Sequence, residues 1–591
     1  MTHSRPLNIG QNFAFIYSAI QKISAITLSI LGFFVICTTI FCIYYFGSPL
    51  LIADQWDNLF YIGFLHGDVP FLDLFNQHNE HRIFFPRLVF LLDAALDSEK
   101  NLINFTFNIL IQLGIIWILF IFYRHLMKNR LWLTAMLGLS AILLFSLDQR
   151  ENFLWGFQVQ FLGVTAAAMA AFMFYSMASL RRIGSAPAVM LNILAFSMAV
   201  IACFSMANGI LGAALLLPLS IIQRRRWYET LIATFCFAVL AFLYFHNFHP
   251  ISYHTPYSYS LKHPLKYIEY LSEYIGNITE SINIHPSKIQ NKHILPISVG
   301  MIGICLSVGM TYHCLRWFYG NPWRTALLAS VWFIVGTAAL TTMGRMLFGL
   351  EQAASGRYLS PTSAFWCCQI CYWSTLYRMN GHARFANRIA LIIGLPLLAI
   401  LLAAALIGHV RGWQESRTKF GDYDLAEDAL LSDVNTPEAL QFIYPFPKQI
   451  TERAFHLRQA HLNIFADATN RLLGKSLPDA LPLAPASTCT GHIDSIQKAS
   501  TTLPDNNLAV EGWAWDNDAR RSPRRLFLTD ADNKVIGYAS GNRFRPDVPE
   551  VIHFNARTNT GWAGYVHATL GQQIKAYALL KNGHVCPLNP S

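Results

Sequence analysis

The chain has 591 residues, 53% of them hydrophobic, 14% aromatic and only 13% charged, with a mean hydropathy of +0.34 and a net charge of +10. That balance excludes an ordinary soluble enzyme and places the chain in a lipid bilayer. The excess Lys and Arg residues fall in short clusters between apolar segments and form no stripe, so no nucleic-acid partner is expected.

Residues 1–22 are short and mildly basic, and the apolar stretch from about Ile23 to Gly47 is long enough to cross a hydrocarbon core of roughly 30 Å. No small-x-small cleavage signal follows, so this is expected to be an uncleaved first helix. Further apolar spans fall near 103–123, 131–147, 159–180, 186–203, 209–222, 228–247, 294–315, 325–343, 359–377 and 389–410, about 11 in all, with 209–222 short for a span. Basic residues mark alternate, very short connections: Arg124/Lys128/Arg130, Arg181/Arg182, Arg224/Arg225/Arg226, Arg316/Arg324 and Arg378/Arg384/Arg388. Positive flanks stay cytoplasmic, so the N-terminus is expected inside. With an odd number of spans, the loops 48–102, 148–158, 248–293 and 344–358 are then outside together with residues 411–591. In a bacterium that arrangement describes a multi-pass inner-membrane protein with a periplasmic C-terminal domain.

Three parts are expected: a transmembrane domain over 1–411, a helical linker region over 412–485 and a β-sandwich over 486–591. Residues 422–466 look helical, with Thr436-Pro437-Glu438 as a cap followed by proline at the first helical position, and Pro478 to Pro485 is a linker. After Cys489 the pattern turns to period two in Leu508–Trp515, Arg525–Thr529, Val535–Tyr538, Gly561–Val566 and Ile574–Leu580, and Asn582-Gly583 is a hairpin turn. A small sandwich fits this spacing. Trp513, Trp515 and Trp562 suit either its core or a sugar-stacking platform, and the core is favoured. The Arg545-Pro546-Asp547 turn reads as structural. Of the 11 cysteines, nine lie in apolar segments as small buried hydrophobes. Only Cys489 and Cys586 lie in the polar C-terminal region, near its two ends, where a disulfide would contribute about 4 kcal/mol in an oxidising compartment.

The densest polar stretch runs from Asp54 to Arg87: Asp54-Gln-Trp-Asp57, an amphipathic passage, Asn76-Gln-His-Asn-Glu-His-Arg82 and Pro86-Arg87. The centres of the expected spans carry almost no Asp, Glu, Lys or Arg, whereas acids and bases concentrate where the helices emerge. Chemistry at the membrane surface is therefore favoured over conduction through the middle. His78-x-x-His81 with Glu80 is HxEH, not HExxH, and no third ligand is evident, so no metal is expected there. Hydrogen bonding of His78 and His81 to sugar or phosphate is the favoured alternative. Glu151, Trp155 and Gln158 in the 148–158 loop are residue types that suit sugar binding or, alternatively, an aromatic interfacial anchor with a polar cap. Ser205-Met-Ala-Asn-Gly209 is a tight turn whose glycine serves the backbone, and Asn277-Ile-Thr279 matches a glycosylation acceptor pattern. The loop 248–293, rich in Tyr, His and Pro, is either a lid or an interfacial segment.

A carboxylate just past the first helix, an amphipathic passage, and an interfacial helix from Phe84 to Leu96 leading into the second span make this chain resemble the GT-C glycosyltransferases. The resemblance implies a GT-C-like polytopic α-helical fold, a polyprenyl-phosphate-linked sugar as donor substrate with no cofactor, and an essential Asp in the first external loop. The chain departs from the common paired-acid version, because Asp54 and Asp57 stand three apart. Asp54, nearer the first helix, is the expected general base for the acceptor hydroxyl, with Asp57 or Glu80 supporting. Arg82, Arg87, Arg345 and Arg357 are the expected grip on the departing lipid phosphate. Arg357-Tyr358 resembles the arginine-tyrosine entry to a late helix in such enzymes, implying a role in lipid-phosphate binding. Acceptors of the envelope-glycan, lipid-linked-glycan or exported-protein type would follow. The rival reading, a lipid-linked glycan flippase, calls for polar residues across the midplane and commonly internal repeats, and neither is visible. A third, a carbohydrate-binding sensor or scaffold, leaves the acids and arginines of the first loop without a task.

Overall fold

Long apolar helices dominate the chain as far as residue 414, and a single antiparallel sheet closes it. The computed structural model describes residues 9–65, 67–251, 255–282, 292–376, 390–500, 507–548 and 559–588, so the expected basic flank Arg378/Arg384/Arg388 lies outside the described residues. Two compact units divide the chain. The helical unit comprises Met1–Tyr45, Val69–Val89 and Asn104–Gln414; the sheet unit comprises Phe46–Asp68, Phe90–Ile103 and Glu415–Ser591.

Among the described residues nine helices are long and apolar enough to cross a membrane: Ala19–Phe46, Leu102–Leu126, Arg130–Leu154, Gly156–Ser179, Ala186–Cys203, Trp227–Phe245, Ile294–Trp317, Pro322–Phe348 and Ile392–Leu431. The two other expected spans are also helical. Ala207–Ile222 is the short one, and Leu359–Leu376 is less apolar because nearly all of it is buried among other helices. A helix that does not face lipid can carry polar groups if neighbours satisfy them. Here Ser360 Oγ donates to Gln112 Oε1 at 2.9 Å, Thr362 Oγ1 to Asn277 Oδ1 at 2.8 Å, and Gln369 Nε2 to Ser307 Oγ at 2.8 Å.

Three glycine contacts set close backbone packing among these elements. A Cβ on Gly209 would lie 1.8 Å from the Ala202 carbonyl oxygen, so the turn at 205–209 closes only with glycine. Helices Pro264–Gly276 and Ile294–Trp317 approach backbone to backbone, where a Cβ on Gly276 would meet Pro296 O at 1.9 Å and one on Gly300 would meet Ser272 O at 1.8 Å.

In the sheet unit the strands are β1 Cys489–Lys498, β2 Asn507–Asp516, β3 Arg525–Thr529, β4 Val535–Arg543, β5 Gly561–His567, β6 Lys575–Leu579 and β7 Val585–Pro587. They form one sheet in the order β1-β2-β5-β4-β3-β6-β7, with every pairing antiparallel. The expected two-layer sandwich is thus corrected to a single curled sheet. Alternation specifies that each strand has two faces, but not how many sheets the strands make. Curling lets one sheet enclose its own core, built from Leu508, Val510, Leu526, Leu528, Trp562, Val566 and Ala578 among others. The edge strands β1 and β7 meet at the Cys489–Cys586 disulfide, with Cα atoms 6.2 Å apart. Trp515 and Trp562 are buried and Trp513 is half-buried. The Asn582-Gly583 turn joins β6 to β7 with Gly583 at φ 83°.

The helical stretches before the sheet are Leu395–Leu431, Pro437–Leu440, with Pro437 at its first position, and Pro447–Ala460, which ends in a left-handed His461. The first-loop segment Phe46–Asp68 joins this unit through backbone-directed side chains. Asn463 Nδ2 donates to the carbonyls of Pro49 and Glu99 at 2.5 and 2.6 Å, and Gln55 Nε2 donates to Asn101 Oδ1 at 2.8 Å. Both oxygens of Asp93 accept backbone N–H groups, from Asn101 and Ile103, at 2.9 Å.

Candidate functional site

The expected site residues divide between the units: Asp54 and Asp57 belong to the sheet unit, the others to the helical unit. In the helical unit the HxEH stretch is a tight turn, not a helix face. His78 N–H donates to His81 O at 2.7 Å and His81 N–H to His78 O at 2.8 Å, with Asn79 at φ 48°. The turn fixes what each ring can do. His81 Nδ1 accepts the Ala207 N–H at 3.2 Å, so a neutral His81 carries its proton on Nε2, which lies 3.5 Å from Glu80 Oε1. The His78 ring meets the Phe157 ring edge-to-face at 5.4 Å.

Arg82 and Arg87 spend donors on the backbone. Arg82 donates from Nε, Nη1 and Nη2 to the carbonyls of Tyr244, Phe75 and His246 at 2.8, 3.0 and 2.5 Å. Arg87, 1% exposed, donates from Nη1 to the carbonyls of Leu74 and Asn76 at 2.7 and 2.6 Å. These contacts brace the first loop, and in Arg82 they engage all three guanidinium nitrogens. A carbonyl oxygen satisfies a donor without cancelling its charge, so these three bonds leave the positive potential of Arg82 in place.

Arg345 and Arg357 are placed differently. Arg345 Nη2 donates to Glu80 Oε1 at 2.8 Å, and both side chains keep about a quarter or a fifth of their surface exposed. Arg357 is half-buried. Its backbone N–H donates to Glu151 Oε2 at 3.0 Å, its Nε donates to Ser355 Oγ at 3.0 Å, and its guanidinium lies 5.9 Å from the Trp155 ring centre. Glu151 therefore shapes the turn carrying Arg357, since its Oε2 also accepts from Ser355 Oγ at 3.2 Å. Trp155 and Phe157 stack at 5.9 Å, which ties this turn to the His78 side.

One residue that periodicity did not single out feels the charge of both Arg345 and Arg357. Tyr270, in the helix Pro264–Gly276, is 1% exposed, and its hydroxyl has no hydrogen-bond partner among the described residues. Burial pushes this phenol well above its ordinary range; Tyr358 adds to the rise, and Arg345 and Arg357 oppose it. Tyr358 itself is buried against Tyr274, with ring centres 4.6 Å apart. Gln158 is fully buried and neither of its amide atoms has a partner among the described residues. A buried polar group left unmet costs about 1–3 kcal/mol, so such groups mark places where a polar ligand is worth most.

Further along the same helix, Glu273 is fully buried. Burial first, then the charges of Glu280 and Glu351, push its carboxyl up to about 9, against an opposing pull from Lys292. Asn277, in the glycosylation-like Asn277-Ile-Thr279 pattern, is 1% exposed and bonded to Thr362, which removes it as a modification site in the folded chain.

In the sheet unit, Asp54 and Asp57 lie in the 3-10 helix Ala53–Tyr61, whose three-residue turn sets side chains three apart on one face. Asp57 Oδ1 accepts from Tyr444 Oη at 2.7 Å and from Arg453 Nη1 at 2.8 Å, an ion pair about one-third exposed. Asp54 is half-buried in the first turn. Its backbone carbonyl accepts from Asn58 Nδ2 at 3.0 Å.

The fold and its apolar helices define a multi-pass helical membrane protein. No family model, curated protein or solved structure matches the chain.

Proposed function

We propose that this protein is an inverting glycosyltransferase of the GT-C type. It would move one sugar from a polyprenyl-phosphate donor to an acceptor on the outer face of a bacterial inner membrane, with the N-terminus cytoplasmic and the C-terminal unit periplasmic. In the reaction the Asp54 carboxylate takes the proton of the acceptor hydroxyl as that oxygen attacks C1. The bond from C1 to the phosphate oxygen breaks, its electron pair leaves on the lipid phosphate, and configuration at C1 inverts. Arg345 and Arg357 meet the developing phosphate charge, with Arg82 adding potential at longer range.

The observation that carries this reading is the Tyr270 hydroxyl, buried without a partner and within the electrostatic reach of both Arg345 and Arg357. Two cations and an unmet donor suit a phosphate or a sugar hydroxyl. Asp54 is preferred to Asp57 because it stands nearer the first helix. The acceptor class remains an envelope glycan, a lipid-linked glycan or an exported protein such as a pilin. Purified protein in detergent, given radiolabelled polyprenyl-phosphate hexoses and pentoses with an envelope extract, is expected to label one fraction of that extract. The same product should be missing from a deletion strain by glycan mass spectrometry. No label from any such donor, together with unchanged glycans in the deletion strain, overturns the assignment.

A further inference from the structure

The same external helix carries a second group of ligand-bearing side chains that the transfer reading does not use. One ligand atom each from Glu273, Glu280 and His293 lie within 4.8 Å of one another. Bonds of about 2.1 Å to a common cation would set such atoms roughly 3.0–3.5 Å apart, so small side-chain adjustments suffice. The group is built into the fold. The Gly276/Pro296 and Gly300/Ser272 backbone contacts hold the Glu273 helix against the helix that begins at Ile294, one residue after His293.

Three features argue for a ligand. Glu273 is fully buried, and its Oε2 makes no hydrogen bond among the described residues. Its Oε1 lies 3.0 Å from His293 Nδ1. Glu351, the third nearby acid, is paired with Lys292 and lies 3.6 Å from His293 Nε2. Beside that pair, two carboxyl groups and an imidazole share the space, donor types that suit a divalent cation.

We infer that Glu273, Glu280 and His293 form a divalent-cation site that fastens the Pro264–Gly276 helix to the head of the Ile294–Trp317 helix. One imidazole with two carboxylates favours Zn²⁺ or Mn²⁺ over the harder, all-oxygen cations Mg²⁺ and Ca²⁺. The site lies one helical turn from Tyr270, on the same helix, so the cation would hold that residue's helix in place. The inference does not depend on the transfer reaction.

Full-length protein in detergent, stripped with chelator and dialysed in separate experiments against micromolar Zn²⁺ or Mn²⁺, is expected to retain about one equivalent by elemental mass spectrometry. Its unfolding temperature should rise with it. Glu273→Gln and His293→Gln, each eluting as the same monodisperse species, should bind at least about tenfold more weakly and lose the thermal shift. Three results overturn the site: no stoichiometric retention by the wild type, equal retention in wild type and both variants, or equal displacement by Mg²⁺ at the same concentration.

Discussion

The arginines singled out in the two units meet different kinds of partner. In the sheet unit the guanidiniums described above and their neighbours close on carboxylates: Arg453 on Asp57, Arg525 on Glu427 and Asp428, Arg545 on Asp494 and Asp547. In the helical unit Arg82 and Arg87 close on carbonyl oxygens, and Arg357 on a serine hydroxyl and the face of a tryptophan. Arg345 meets the carboxylate of Glu80, and Arg225 that of Glu229. Pairing with carboxylates neutralises charge and stabilises a surface; pairing with carbonyls and rings fixes an arginine while leaving its field in place. The difference teaches that residue type alone does not fix an arginine's part: the ion pairs named in the sheet unit hold its own architecture, and the carbonyl and ring contacts named in the helical unit hold its turns.

The contrast can be broken at several points. The largest expected effect lies in the sheet unit. Reducing the Cys489–Cys586 bond, or replacing both residues with serine, should lower the stability of that unit by about 4 kcal/mol. Denaturant unfolding with and without reductant measures it, and little change would mean that the curled sheet holds its edges without the bond. Next comes Arg87→Ala, which strands the Leu74 and Asn76 carbonyls and should cost the helical unit about 3 kcal/mol by thermal unfolding in detergent. A neutral outcome would deny Arg87 its bracing role. The smallest is Arg357→Lys, which keeps the charge but loses the planar fork. Binding of polyprenyl-phosphate sugar should weaken about tenfold at unchanged stability, and unchanged binding would remove Arg357 from the phosphate.

The sequence displayed much of the helical layout, because an apolar run long enough to span a bilayer leaves few alternatives. The interfacial helix expected over Phe84 to Leu96 appears as Phe84–Asp97 for the same kind of reason, a clear apolar period. What was hidden depends on contacts between residues far apart in the chain. The sheet's strand order is one such feature, and the grouping of Phe46–Asp68 with residues beyond 415 is another. The HxEH turn was hidden for a local reason: it needs Asn79 at positive φ, a conformation asparagine permits but does not announce. Arg82 and Arg87 looked like phosphate ligands because residue type does not reveal whether a guanidinium meets a ligand or a carbonyl. Tyr270 and Glu273 sit in a loop legible only as a lid or an interfacial segment. The available signal was the His263-Pro264 helix start, followed by Tyr267, Tyr270, Glu273 and Tyr274 at helical spacing.

The most direct test compares Asp54→Asn with Asp57→Asn in membranes, following sugar transfer and donor binding together. Asp54→Asn should lower transfer about 100-fold or more while expression and donor binding persist, because general-base catalysis contributes on that scale. Asp57→Asn, which loses only a partly exposed ion pair, should stay within about fivefold of the parent. Full transfer by folded, donor-binding Asp54→Asn would contradict the account.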